Sequence, residues 1–339
     1  MLRLFALVVC FLVVACHRTP RPRELGEDAL ATDMSDGARR FLVALSPAQR
    51  DRARFDMGDA ERLNWHFIPR DRRGIPIGEL GAAQRALAFG FLATALGRRG
   101  LLKATAIMAL EEVLRERELG AGSYVRDPGA YYLSVFGEPS TISTWGWRLE
   151  GHHLSLNLTL VDGHHAIAAP TFLGASPSPA VNGVLGREEA LGFELVTDLD
   201  EAQRRVARYT ATPPEDILLG PGVVFTELPG LAASEMTAAQ RAVLAALVDA
   251  AVECLPRELA DRERAKLAGT MTSIRFTWAG GMTPGQPHYF RIAGPTFVYE
   301  FDNTQDHATH VHTGWHSRTD DFGIDSLREH VRIDHGGHS

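Results

Sequence analysis

The residue types able to do chemistry gather in two stretches. One is Trp145-Gly146-Trp147-Arg148-Leu149-Glu150-Gly151-His152-His153, which runs straight on into Leu154–Val161; the other is His310-Val311-His312, preceded by Glu300 and the polar run 302–307. Two histidines at i and i+2 of a strand stand side by side, the separation at which both can bind one ion. A third histidine or a carboxylate from a neighbouring strand would complete a three-ligand site with an open position for water or substrate. His152, His153 and Glu150 offer that third ligand from the first stretch, and Glu300 offers it from the second.

From Leu154 the first stretch alternates as a half-buried strand does, with Leu154, Leu156, Leu158 and Leu160 on one face and Ser155, Asn157 and Thr159 on the other. Carried backwards, that period puts Arg148, Glu150 and His152 on the leucine face. A bulge at Gly151 would reverse the parity and send His153 inward instead. A buried Arg and Glu must pair with each other or hold something, because a lone buried charge costs several kcal/mol or more. Two readings follow. In one, His310, His312 and one of His152 or His153 bind an ion, Glu150 or Glu300 is a fourth ligand or general base, and Arg148 holds an anionic group. In the other, the same residues form a buried polar network that only fixes strand register.

The elements that must position these residues are legible from periodicity and punctuation. Residues 36–55 read as a helical pair restarted by Ser46-Pro47, and 80–96 and 101–119 as two helices separated by Gly97–Gly100. Residues 131–136 read as a short strand, and 166–172 as a strand returning from the Asp162-Gly163 turn. The Pro, Ser and Gly-rich stretch 174–186 reads as a loop able to wall a pocket. Helices are expected over 187–209, 237–254 and 257–267, strands over 274–278, 288–292 and 296–301, and a short helix over 320–330. His66 reads as a hydrogen-bonded core histidine, and His164, His165, His335 and His338 as solvated. No repeat of fixed period stands out. The pattern predicts an α+β fold, a single domain in which helices pack on one side of a mostly antiparallel sheet.

The N-terminus is read separately. Arg3, the apolar run Leu4–Val14 and Ala15-Cys16 have the layout of a secretory signal, and the run is too short to span a bilayer. Val13-Val14-Ala15-Cys16 resembles a bacterial lipobox, so residues 1–16 are expected to be a signal peptide with Cys16 lipidated, carrying acyl chains such as palmitate. Residues 17–34 would be the tether and 35–339 the domain. The expected partner is then the lipid membrane of a bacterial cell envelope, besides a small-molecule ligand. Cys254, alone on an apolar helix, reads as a small buried hydrophobe. A formal charge of −7 and the lack of a basic stripe disfavour nucleic acid. Only Lys103 and Lys266 are lysines, which leaves little scope for Schiff-base chemistry. The serine-hydrolase elbow, the zincin helix, paired Cys-x-x-Cys, the phosphate loop and the dinucleotide fingerprint are all missing.

Asn64–Pro69, Trp145–Ser155, Pro170–Gly174, Trp278–Gly281 and Glu300–Gln305 through His312 together resemble the domain of unknown function 3500 family, across about residues 37–330. The resemblance implies one family-wide domain and suggests that the two histidine clusters form one site. It supplies no reaction. Where the family pattern leads one to expect Trp-Arg, this chain has Trp315-His316. The functional expectation is an exported lipoprotein that is a metal-dependent enzyme, with water activation for hydrolysis if the ion is zinc and oxygen chemistry if it is iron or copper. The alternative is an envelope lipoprotein that binds a small ligand or a metal without turnover.

Overall fold

The leucine strand of the sequence exists, but the chain turns back just before it. In a computed structural model, which describes residues 25–118, 124–178 and 183–328, strand continuity breaks at His152-His153. The first part of the chain forms helices α1 (Leu25–Ala44) and α2 (Pro47–Ala53), strands β1 (Arg54–Phe55) and β2 (Ile75–Pro76), and helices α3 (Ala82–Ala95) and α4 (Arg98–Glu118). Strands β3 (Tyr132–Phe136), β4 (Trp145–Gly151), β5 (Leu154–Val161), β6 (His165–Ile167) and β7 (Thr171–Ala175) follow. The second part forms helices α5 (Gly186–Asp198) and α6 (Glu201–Ala207), strands β8 (Arg208–Thr210) and β9 (Leu231–Ala232), and helices α7 (Ala238–Val252) and α8 (Arg257–Thr270). It ends in strands β10 (Arg275–Gly280), β11 (His288–Ala293), β12 (Phe297–Gln305) and β13 (His310–Ser317).

All the strands belong to one mostly antiparallel sheet with helices on one face, the α+β class expected. Two boundaries differ from the expectation. In place of a tether reaching residue 34, α1 begins at Leu25 and buries Leu30, Ala31 and Met34, so the fold starts at least ten residues earlier; residues 1–24, with the signal and Cys16, lie outside the described residues. The helix expected over 187–209 is two helices, because Asp200 caps a new one at Gln203.

The sheet order is β1-β3-β4-β5-β7-β13-β12-β11-β10-β8, and it reads as two copies of one unit joined antiparallel at β7–β13. β1 and β8 are the parallel members, each paired to the first long strand of its half. The expectation of no repeat is therefore corrected: the unit occurs twice, at a spacing near 143 residues in the central hairpins. Ala82-Ala83-Gln84-Arg85-Ala86 recurs as Ala238-Ala239-Gln240-Arg241-Ala242. Each of these glutamines bonds the cap glutamine of the preceding short helix, Gln84 to Gln49 at 2.8 Å and Gln240 to Gln203 at 2.9 Å. The repeat escapes a periodicity reading because it is long, occurs only twice and has diverged almost everywhere else.

The parity expectation is also corrected. Cross-strand partners share a face, and Arg148 pairs with Asn157 and Glu150 with Ser155, while Leu149 pairs with Leu156. Arg148 and Glu150 thus lie opposite the leucines, because a two-residue turn reverses the chain where the alternation alone reads one continuous strand. The leucine face packs with Trp145, Trp147 and residues of α1, α3 and α4. The other face is closed by loops and short 3-10 turns, not by α-helices. Arg148 donates to the Glu61 carbonyl at 2.7 Å and pairs with the Glu61 carboxylate, and Arg291, on the matching rung of β11, donates to the Thr226 carbonyl at 2.8 Å. Glu150 accepts from the backbone N–H of His66 at 2.7 Å and from Arg72 at 3.0 Å. Glu300 accepts from the N–H groups of Leu218 and Leu219, from Arg291 and from Tyr289. Each half therefore uses a buried Arg and Glu to fasten a long loop over the sheet.

Two stability predictions follow. Glu300→Ala leaves Arg291 and two N–H groups buried without their acceptor and should lower unfolding free energy by about 3–5 kcal/mol in a urea titration. Burial holds the His288 imidazole down at about 4 against its ordinary 6.5. The unfolded chain takes up that proton below 6.5 and the folded chain does not, so stability present above pH 6.5 is lost as pH falls towards 4, by ~3 kcal/mol for this group. The difference in urea midpoint between His288→Phe and the unmodified chain should narrow or reverse in favour of the variant across that window.

Candidate metal centre

The turn between β4 and β5 delivers the first histidine. His153 has a left-handed backbone, φ 61°, which costs an L residue on the order of 1 kcal/mol and is held by contacts around it. Its N–H donates to the Phe67 carbonyl at 2.9 Å, and its own carbonyl accepts from Gly174 N–H at 2.7 Å. Tyr131 closes over Gly151 and donates to the His152 carbonyl at 2.9 Å. His310 and His312 come from the start of β13, after a turn in which Asp306, His307 and Ala308 are all left-handed.

Nitrogens of His153, His310 and His312 lie within 4.8 Å of one another. His310 Nε2 stands 2.7 Å from His153 Nε2, and the ring centroids of the three are 4.6 to 5.2 Å apart. Facing imidazole nitrogens at that distance repel unless a proton or a cation lies between them. His310 Nδ1 meets Asp306 Oδ2 at 2.9 Å, and His312 Nδ1 meets Asp216 Oδ1 at 2.7 Å. A carboxylate on Nδ1 fixes the proton there and leaves Nε2 as a lone pair, the arrangement that orients metal-binding histidines. His312 Nε2 is buried with no hydrogen-bond partner among the described residues. Burial, first of all, and the neighbouring imidazoles push His153 well below its ordinary range, and burial brings His310 down to about 4. Both rings are neutral at pH 7 and have lone pairs to give.

Phe67 and Phe172, stacked at 3.7 Å, wall the His312 side with ring centroids 5.6 and 5.1 Å from it. Gly174, opposite His312 in the ladder, leaves the space the rings occupy: a Cβ there would sit 3.0 Å from His312 Cδ2 and 3.1 Å from His153 Cδ2.

The expected site residues separate into two groups. His153, His310 and His312 come together. His152 stacks on His153 at 3.7 Å but turns its Nδ1 to the Glu111 carboxylate on α4 and to Arg126. Arg148, Glu150 and Glu300 spend their hydrogen bonds on the loop fastenings described above, which is the network reading of those three. His66 contributes its backbone, not its ring, to that fastening. His316 is held at both nitrogens, by Asp321 at 2.7 Å and the Leu219 carbonyl at 2.9 Å; burial opposes its charge, but the Asp321 carboxylate outweighs it and the pKa is raised. It has no lone pair for a ligand role. The 174–186 loop expected to wall a pocket lies partly outside the described residues, and its near end is tied to the β12–β13 turn by Ser178 N–H on the Thr309 carbonyl. His335 and His338 also lie outside them.

Asp216, Asp306, Gly174 and Glu111 join the site without having been expected there. Asp306 is in the polar run beside the histidines and four residues before His310, a usable signal. Asp216 is brought by a loop nearly a hundred residues away and carries none.

The family described as "Protein of unknown function (DUF3500)" matches residues 27–324. Neither a curated protein nor a solved structure matches the chain.

Gly174→Ala should tilt one or both rings by a few tenths of an ångström. We expect at least a tenfold loss of Zn²⁺ affinity by competition with a chromogenic chelator, with the far-ultraviolet circular dichroism unchanged.

Proposed function

This chain belongs to the DUF3500 family, and we propose that it is an exported, lipid-anchored metalloprotein whose three-histidine centre activates water for hydrolysis. The carrying observation is the convergence of His153, His310 and His312 with the buried, unpartnered Nε2 of His312. The duplication supplies the supporting argument. Asp302 pairs with His312 on the rung where Thr159 pairs with Ile167 in the other half, and the turn residue matching His153 is Thr296. Each of these positions is thus filled by an ordinary residue in the half that lacks the ligand, so packing alone does not call for acid or imidazole there.

In this reading His153, His310 and His312 hold a divalent ion through their free nitrogens, while Asp306 and Asp216 keep the tautomers of His310 and His312. When bound, such an ion lowers the pKa of a water in its open position and polarises a substrate oxygen. Three neutral ligands leave the full positive charge to act on that water. Phe67 and Phe172 keep solvent from the inner side, and His310, the least buried of the three, marks the outer one. Export and anchoring rest on Arg3, the apolar run Leu4–Val14 and Cys16. No helix among the described residues is long and apolar enough to cross a membrane.

The test is elemental analysis with a hydrolysis screen on the full chain in detergent. Near-stoichiometric metal that is lost in His310→Ala and kept in His152→Ala supports the centre. Ester or phosphoester turnover that falls with the metal supports the enzyme. A metal-loaded chain with no turnover would make it a binding protein, and a metal-free chain unaffected by His310→Ala would remove the centre.

A further inference from the structure

His312 offers two nitrogens, and the structure surrounds each with a different set of donors. Nε2 belongs with His153 and His310. Asp216 meets Nδ1 at 2.7 Å, and ligand atoms of Asp216, Asp302 and His312 again lie within 4.8 Å of one another. Asp302 faces His312 across the β12–β13 ladder and is fully buried.

That buried carboxylate lacks a counter-charge. Its hydrogen bonds come from Thr304 alone, whose hydroxyl is 3.0 Å from both oxygens, and no guanidinium or ammonium group bonds it among the described residues. Thr304 offers its backbone N–H and one hydroxyl proton, both neutral donors, and a buried anion without a cation is among the costliest groups a fold can hold. By contrast, the other buried carboxylates of this face, Glu61, Glu150 and Glu300, each have an arginine. Thr159 stands at the Asp302 position in the other half, so an acid is not needed to build the strand. The Thr304 hydroxyl is also 3.0 Å from the Glu215 carbonyl, and Thr304 and Glu215 both line an open cleft of about 780 Å³.

We infer that Asp216, Asp302 and His312 Nδ1 form a second divalent-cation site, so that the His312 ring, as an imidazolate, bridges two ions. The inference rests on the three-histidine reading, since His312 is shared. The second ion takes the place of the Nδ1 proton now held toward Asp216 and of any proton on Asp302, and these go to solvent. Asp216 changes from orienting His312 to binding the ion beside it. A donor set that mixes an imidazole nitrogen with two carboxylates is one that zinc accepts.

Two measurements on the full chain in detergent decide it. Zn²⁺ titration followed by native mass spectrometry should give two equivalents for the unmodified chain, one for Asp302→Asn, and none for His153→Ala with His310→Ala and Asp302→Asn combined. One equivalent in the unmodified chain, lost in His310→Ala but indifferent to Asp302→Asn, overturns the bridge and leaves the three-histidine centre standing. No equivalent at all sinks both. Should Asp302→Asn fail to fold, Cu²⁺ titration of the unmodified chain still answers: two bridged ions couple magnetically, and the paramagnetic signal of the first equivalent should fall by more than half as the second enters. Simple addition of two independent signals would overturn the bridge.

Discussion

Two guanidinium groups buried in the middle of a sheet face set the terms for the rest of this molecule. Arg148 and Arg291 cannot be left in the interior without acceptors, and carbonyls in the middle of an α-helix, already used along its axis, are poorly placed to supply them. Loops can. The long segments after β1 and β8 therefore lie over the sheet, give their carbonyls to the arginines, and are fixed in turn by Glu150 and Glu300. Fastening loops in this way places Phe67 beside Phe172 and Asp216 beside His312. The metal centre is thus downstream of an ion-pair problem that the fold solves twice.

How much of this is legible in the sequence depends on whether the signal is local. The alternation of Leu154–Val161, the Ser46-Pro47 cap and the Gly97–Gly100 break are decided within a few residues, and the corresponding strand and helices stand close to where the pattern puts them. The faces are less legible, because parity is lost if one turn is missed: Gly151-His152-His153 carries no Asn-Gly or Gly-Gly signature, and the turn is held by Tyr131 and Phe67, both remote in sequence. Of the site, the three imidazoles can be named but not their orienting acids, since Asp216 reaches His312 only through the folding of a distant loop. Glu150 and Glu300 look like chemistry because a carboxylate beside histidines has the same appearance in sequence whether it binds an ion or a backbone.

The duplication gives the molecule an internal comparison. Both halves retain the cap glutamines, the arginine rung and the short parallel strands, and these are the parts that build the unit. They differ at Thr159 against Asp302, Ile167 against His312 and Thr296 against His153: at each position one copy has an ordinary packing or hydroxyl group where the other has acid or imidazole, and both copies supply the centre, the first with His153 and the second with His310 and His312. Residues that form the scaffold and residues that equip it are therefore separable within a single chain.

The strands at the two ends of the sheet bear on how the protein behaves among its own kind. A long sheet with free borders invites neighbouring chains to add on, the route to fibrils and precipitates. Here each border is finished by a strand of two or three residues running parallel to its neighbour, Arg54–Phe55 on one side and Arg208–Thr210 on the other, each bearing an exposed arginine. So brief a charged hem gives an incoming strand too few backbone partners to take hold, and many copies could crowd one surface without knitting together.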